Sequence, residues 1–456
     1  MRRVVKVSRI RIIITIIVVV LTTLLTGCTG KEPNEIAYVV ALGIDSTDDD
    51  NYKITIQYAN TTQISGGASE SGGKAGSEIV DNVTIEAPNI YAGVGLANNI
   101  VSKSFSMSHA KLIVFSKEIA EKGVKDMIET LVRSEEIRPD VFIAVANTTA
   151  NDYLTSVNPE MEVNPAQYYQ LIYQKNQLVG IPDGQLREFF TGLYTDNYDS
   201  ILPVAGVIEG AGGNSQNDDK GQSKDGQNEG SEGSSESLDS FESKSSDDKD
   251  ENEKEKDAEK NTSKYEYDIK NYVGGETAIE KKNKAEAIGA AVFEKDKMVG
   301  ELGEVETEIC KMLKGDYTYS YLTYYNNDTP DIPITVKTTQ QKKPKYKIDT
   351  DKKTVDIELY IESDLYSLPA DYNVENKIED FERDVANYTS SACTEFINNF
   401  KKKYNSDILK LNEKLKYKFL TNNQYNWFKK NVGWSEYKFS VCTNFKVRRT
   451  GLIVRE

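Results

Sequence analysis

Ile36-Ala37-Tyr38-Val39-Val40-Ala41-Leu42-Gly43-Ile44 is an almost unbroken apolar run, the pattern of a strand covered on both faces. After a polar stretch, Tyr52, Ile54, Ile56 and Tyr58 alternate with polar neighbours, which predicts a half-buried strand forming an antiparallel hairpin with the first. Thr84 to Ala97 reads as a connecting element leading into a helix from about Ile90. His109 to Phe115 ends in a strand, Lys117 to Ser134 has helical spacing at Ile119, Val124, Ile128, Leu131 and Val132, and Val141 to Ala146 is another buried strand. Strand, helix and strand in this order predict a layered unit on a mixed sheet. Short helices are expected over Gln167–Leu178 and Leu186–Leu193, and Ser200–Val204 closes this part of the chain.

Beyond position 285 the alternation is cleaner. Ala287 to Phe293 and Lys297 to Leu302 flank Glu294-Lys295-Asp296 as a hairpin, and a short helix follows from about Glu304 to Leu313. Strands are expected at Tyr317–Tyr325, Ile332–Thr339, Thr354–Glu362 and Tyr437–Val447. Ile378, Phe381, Val385, Ala392, Phe396 and Phe400 recur at helical spacing between about Val374 and Tyr404. A largely antiparallel sheet with this long amphipathic helix on one face accommodates them. The predicted fold class is thus α+β and multi-domain, with mixed and antiparallel sheets each packed with helices.

Upstream of all this, Arg2, Arg3, Lys6, Arg9 and Arg11 precede the apolar run Ile12–Leu21. A basic start followed by a short greasy stretch is the layout of an export signal, and the run is short for a spanning helix, which needs about 20 apolar residues. Leu25-Thr26-Gly27-Cys28 resembles the lipobox of bacterial lipoproteins. That resemblance implies cleavage after Gly27, diacylglycerol on the Cys28 sulfur, and a fatty acyl chain such as palmitate on the new amino terminus. Two or more such chains anchor a protein stably, at about 0.8 kcal/mol per buried CH₂.

Charge narrows the function classes. Lys and Arg number 56 against 72 Asp and Glu, for a net charge of −16. This argues against nucleic acid and against polybasic contact with anionic lipid, so the acyl chains would do the anchoring. From Gly210 to about Lys264, Gly, Ser, Asn, Asp, Glu and Lys dominate. Such a segment buries too little apolar area to offset its ordering entropy. The expected organisation is a signal peptide at 1–27, a tether at 28–34, an α/β region of one or two subdomains at 35–207, a mostly disordered acidic insertion at 208–284 and an α+β domain at 285–456.

The chemistry-bearing residues are sparse. Four cysteines include Cys28, leaving Cys310, Cys393 and Cys442 without a CxxC, so at most one disulfide forms and buried thiols are the plainer outcome. The single histidine, His109, lies far from any nucleophile motif and cannot build a transition-metal site alone. Asp45, Asp48, Asp49 and Asp50 lack the Gly and terminal Glu of a calcium loop. Lys74 follows glycines without the phosphate-loop spacing. No catalytic, cofactor-binding or metal residue is assigned, and no cofactor is expected. Arg448-Arg449 reads as a charged sheet edge that discourages aggregation.

Several stretches together are similar to the C-subunit lipoproteins of spore germinant receptors, the GerC family. In the first half these are the lipobox, Glu35-Ile36-Ala37, Leu42-Gly43-Ile44-Asp45, His109-Ala110-Lys111-Leu112-Ile113 and Leu131-Val132-Arg133-Ser134-Glu135-Glu136-Ile137-Arg138. In the second half they are Gly289 to Gly300, Glu306-Thr307, the long helix, Asp407-Ile408 and Trp434. Two features depart from the family: Lys403-Tyr404, where Gln is common, and Leu409-Lys410-Leu411, where the family has a Gly-containing turn. The acidic insertion is also longer than the family's.

The resemblance implies a non-enzymatic receptor subunit required for nutrient-triggered germination. It would be lipid-anchored at Cys28 on the outer face of the cytoplasmic (spore inner) membrane, beside integral-membrane A and B subunits. No small-molecule ligand is specified. The alternative reading is a membrane-anchored cell-wall hydrolase, for which paired carboxylates would suffice, or a solute-binding lipoprotein.

Overall fold

The computed structural model describes residues 13–18, 35–49, 51–59, 80–158, 165–174, 180–195, 198–208, 271–277, 283–326, 329–367 and 377–450. Cys28 with its lipobox, the Gly/Ser-rich stretch 65–77 and most of the acidic insertion lie outside them. Among the described residues no helix is long and apolar enough to cross a membrane.

The apolar run of the first half becomes β1 (Ile36–Ser46), which pairs antiparallel with β2 (Tyr52–Ala59), as the alternation predicts. β2 pairs in turn with β3 (Val80–Ala87), whose second half, Thr84 to Ala87, the sequence predicts as a connector. Val83, Ile85 and Ala87 alternate with polar neighbours there, but the partner strand that makes the alternation meaningful is β2. Helix α1 (Ile90–Ala97) follows, then the short β4 (Ser104–Ser106) beside β1, β5 (Leu112–Ser116), α2 (Lys117–Lys122), α3 (Lys125–Val132) and β6 (Phe142–Ala146). The helix expected over 117–134 is therefore two, broken where Gly123 ends α2 and the Val124 N–H donates to Asp296 O. α4 (Ala150–Ser156), α5 (Pro165–Gln174), α6 (Leu186–Thr195) and β7 (Ile201–Val207) complete the first half.

β8 (Ala285–Glu294) and β9 (Lys297–Leu302) form the expected hairpin, and they continue the same sheet. Its order is β3-β2-β1-β5-β6-β7-β8-β9, with β4 alongside β1. The central pairs β1–β5, β5–β6 and β6–β7 are parallel and the flanking pairs antiparallel. Alternate residues of one strand feed two cores. Ile113 and Phe115 join Leu42, Ile128 and Phe189, while Leu112 and Val114 join Tyr153, Tyr169 and Tyr173. Both faces are covered, which is why these strands are apolar throughout.

After α7 (Glu304–Lys314) come β10 (Tyr319–Asn326), β11 (Thr329–Gln340), β12 (Lys345–Asp349), β13 (Thr354–Ser367), α8 (Ile378–Lys403), α9 (Leu411–Lys416), α10 (Asn422–Asn431) and β14 (Lys438–Arg449). β11 and β12 take one edge of β13, both antiparallel. β14 takes the other edge and runs parallel to β13, the one parallel pairing in a sheet that is otherwise antiparallel, as expected. α8 lies between them in the chain and reverses the direction, so β14 re-enters beside β13 pointing the same way. Cys393, Phe396 and Ile397 of α8 pack on Val355, Ile357 and Val441, and the same core takes in Ala290, Val292 and Leu302 of the first sheet. β12, α9 and α10 were not read from the sequence. Cys310 and Cys393 are buried and Cys442 exposed, all as free thiols.

Candidate functional site

Four acidic residues in the stretches that carry the family resemblance hold backbone: Asp45, Glu136, Glu306 and Asp407. Asp45 ends the apolar run of β1 and is buried. Its carboxylate accepts the Ala150 N–H at 2.6 Å and the Asn151 N–H at 3.0 Å, capping α4. Burial pushes its pKa up while those two N–H groups pull it down. Gly43, one pleat earlier, lets α4 approach: a Cβ there would lie 3.0 Å from Leu154 Cδ1 and 3.1 Å from Ala150 Cβ. Glu136 accepts the Met107 N–H at 2.6 Å, and Glu306 accepts the Gly303 N–H at 3.1 Å at the start of α7. Asp45→Ala should therefore cost about 2 kcal/mol, the upper end for a lost helix cap because the orphaned N–H groups are buried. Urea unfolding of the variant against wild type measures it, and an unchanged midpoint would refute the assignment.

Asp407 does the same for α9 and sits deeper. It accepts the Leu411 N–H at 2.9 Å and the Asn412 N–H at 2.6 Å. Its own N–H donates to Asp199 Oδ2 at 2.8 Å, and the Asp199 N–H donates to Asp407 O at 3.1 Å. Asp199 Oδ1 accepts the Lys295 N–H at 2.8 Å, and the Ser406 hydroxyl donates to Phe293 O at 2.7 Å. The loop before β7, the β8–β9 turn and the loop after α8 are thus clasped together. Burial pushes the Asp407 carboxyl up to about 7, against the pull of the Asn412 and Leu411 N–H groups, and neighbouring Asp199 adds to the rise. Where the family carries a Gly-containing turn, Lys410 takes the left-handed backbone itself, at φ 57° and ψ 37°. Its ammonium lies 4.2 Å from the centre of the Tyr198 ring and 3.8 Å from a Glu188 carboxylate oxygen.

Asp199 and Lys410 also line a cleft of about 470 Å³ between the start of β7, α6 and the end of α7. Lys311 lies on its wall, buried, with Nζ donating to Ile181 O at 2.9 Å. Burial pushes that ammonium down, and burial with Glu188 nearby pushes Asp183 up. Asp183, Glu188, Lys314 and Lys410 line this space together with Tyr198 and Tyr317, an arrangement suited to a small polar solute. His109 lies elsewhere, exposed before β5, its ring 4.8 Å from that of Tyr38 and its Nδ1 3.0 Å from the Ser108 hydroxyl. Among the described residues no three His, Cys, Asp or Glu gather as metal ligands. Arg448 pairs with Glu362 at 3.0 Å across β14 and β13. Sequence reasoning found Asp45 and Asp407 only as positions of resemblance and missed Asp199, an aspartate in a polar loop with no pattern around it.

Two family models match this chain. Residues 30–207 match the spore germination protein N-terminal domain, and residues 288–451 match the spore germination B3/GerAC-like C-terminal region. Spore germination protein KC of Bacillus subtilis is 26% identical over 174 residues, covering 35% of this chain and 42% of that protein. The putative spore germination protein YfkR of the same organism is 28% identical over 145 residues, 32% of this chain and 37% of its own length. The matched stretches thus span less than half of each relative. The crystal structure of the GerBC protein aligns over 89% of this chain and 96% of that one, with a TM-score of 0.47 and 14% identity. With the two models matched in order across both halves, this chain belongs to the GerC family, the family of spore germinant-receptor C subunits.

Proposed function

We propose that this protein is the lipid-anchored C subunit of a spore germinant receptor, tethered through Cys28 at the outer face of the spore inner membrane. It works without catalysis, by contact with integral-membrane A and B subunits. The observation that carries this reading is the use made of the family-like acidic residues. Asp45, Glu136, Glu306 and Asp407 all accept backbone N–H groups, so they serve shape, and a shape-bearing body beside a membrane is what a receptor subunit requires. Deleting the gene should abolish germination in response to particular nutrients while spore formation stays normal. Unchanged germination with every nutrient tested would overturn the proposal. Cys28→Ala should abolish fatty-acid labelling of the chain; labelling that persists would place the anchor elsewhere.

The cleft favours a second reading, that the chain binds a small polar solute. Titration calorimetry of the chain with the nutrients that trigger germination tests it, and absence of heat with all of them would retire it.

A further inference from the structure

In a chain with net charge −16, residues 414–435 hold five lysines and no Asp or Glu. This is the segment that becomes the end of α9, the following turn and α10. Its inward side is firmly seated. Leu411, Leu415, Tyr425 and Phe428 are buried, and the Phe419 ring lies 4.9 Å from Phe428 and 6.0 Å from Tyr425.

Its outward side carries large apolar groups in water: Leu420 is 95% exposed, Tyr417 80% and Trp427 65%. Leu420 precedes Thr421, the N-cap of α10. A residue in that place ordinarily folds back onto the fourth helical residue as a staple, here Tyr425. Phe419 takes that role instead, leaving Leu420 with no task in the fold. On α10, helical spacing sets Trp427 and Lys430 opposite Tyr425 and Phe428, and the exposure of the first two agrees.

We propose that this α9–α10 corner docks on an anionic bilayer surface, Tyr417, Leu420 and Trp427 entering the headgroup region while Lys416, Lys418 and Lys430 meet its phosphates. Trp and Tyr concentrate at that depth. Leucine gains by burial at the acyl boundary, and lysines are attracted to an anionic leaflet within a Debye length. A protein partner fits less well, because interface centres are depleted of lysine. The contact is separate from the acyl anchor and reverses the expectation, drawn from net charge, that basic residues play no part at the membrane. Net charge averages over the chain, whereas a bilayer meets one corner of it.

The chain has two tryptophans, and Trp434 is buried. Trp434→Phe in the full chain therefore leaves Trp427 as the reporter; should that variant fold poorly, the difference spectrum between wild type and Trp427→Phe serves instead. The chain is reconstituted into vesicles of phosphatidylcholine alone or mixed with phosphatidylglycerol, where the anchor holds it equally close to both. Trp427 emission should move to shorter wavelength and be quenched by bromine-labelled lipid in the anionic vesicles only. The shift should reverse on raising salt from about 0.1 M to about 1 M, as the Debye length falls from about 10 Å to 3 Å. Lys416→Gln/Lys418→Gln/Lys430→Gln should lower the docked-to-free ratio about a hundredfold, roughly fivefold for each lysine near such a surface. Trp427 equally open to acrylamide in both vesicle types would overturn the proposal. So would shielding that appears only with other receptor proteins present, which would assign the corner to a protein partner.

Discussion

Gly206→Ala is expected to destabilise the chain by about 3 kcal/mol, the upper end of ordinary overpacking. Gly206 lies in β7 against the backbone of Gly274 and Gly275. A methyl group there would sit 2.6 Å from Gly274 Cα and closer still to the Gly274 carbonyl carbon and the Gly275 nitrogen. Neither side can yield cheaply. β7 is held between β6 and β8, and the N–H of the next residue, Val207, donates to Asn147 Oδ1 at 3.1 Å. The opposing segment is pinned where the Gly274 N–H donates to Ile288 O at 3.0 Å. Backbone meeting backbone leaves no rotamer to absorb the clash, unlike the contact of Gly43 with the end of Leu154. Urea unfolding of the full chain followed by circular dichroism reads the effect. A variant as stable as wild type would mean that residues 271–277 do not rest on β7.

The second large effect is in pH. From about pH 4 to about pH 7 the native state should lose stability through Asp407, and Asp407→Asn should remove that part of the slope. An unfolded aspartate titrates near 3.9, whereas burial holds this one up to about 7 in the fold. Between those values the folded chain keeps a proton that the unfolded chain has released. The stability is therefore fully present below the unfolded value and is lost as pH rises through the folded one. At about 1.4 kcal/mol per unit the total is on the order of a few kcal/mol.

Glu308 on α7, likewise pushed up to about 7 by burial while the Ser320 hydroxyl pulls it down, adds a slope of the same sign. Asp407→Asn should thus leave a residual dependence that Asp407→Asn/Glu308→Gln reduces further. At low pH, Asp407→Asn should itself cost about 1 kcal/mol, since the amide keeps one oxygen for the Leu411 and Asn412 N–H groups. Unfolding midpoints across a pH series measure both terms, and parallel wild-type and variant profiles would show that Asp407 titrates near its ordinary value.

Both effects arise where segments distant in the chain meet, and that is also where sequence reading stopped. The alternation of Val355, Ile357, Leu359 and Ile361 announced β13 and its buried face, because a strand's period is local and visible in its own residues. Nothing local says which neighbour a strand takes on each edge, so the parallel entry of β14 was missed. Asp407 could be seen as a point of resemblance, but its partner Asp199 stands 208 positions earlier with no pattern to mark it. Lys410 reads in the sequence only as a departure from the resemblance; in the fold it takes the left-handed backbone itself.

What the sequence determined by itself was the set of periodic elements: the doubly covered strand around Leu42, the strand ending at Phe115, the buried strand around Ile143, the β8–β9 hairpin, the long α8 and the α+β class they imply. These follow from burial patterns repeated every two or three to four residues, which a single chain displays in full. The tertiary structure alone decided that acidic side chains would be turned inward to satisfy backbone N–H groups, that residues 271–277 would close over β7, and that Leu420 and Trp427 would be left facing water. Each depends on which polar groups lose solvent when remote segments meet, a quantity that exists only once the chain has folded.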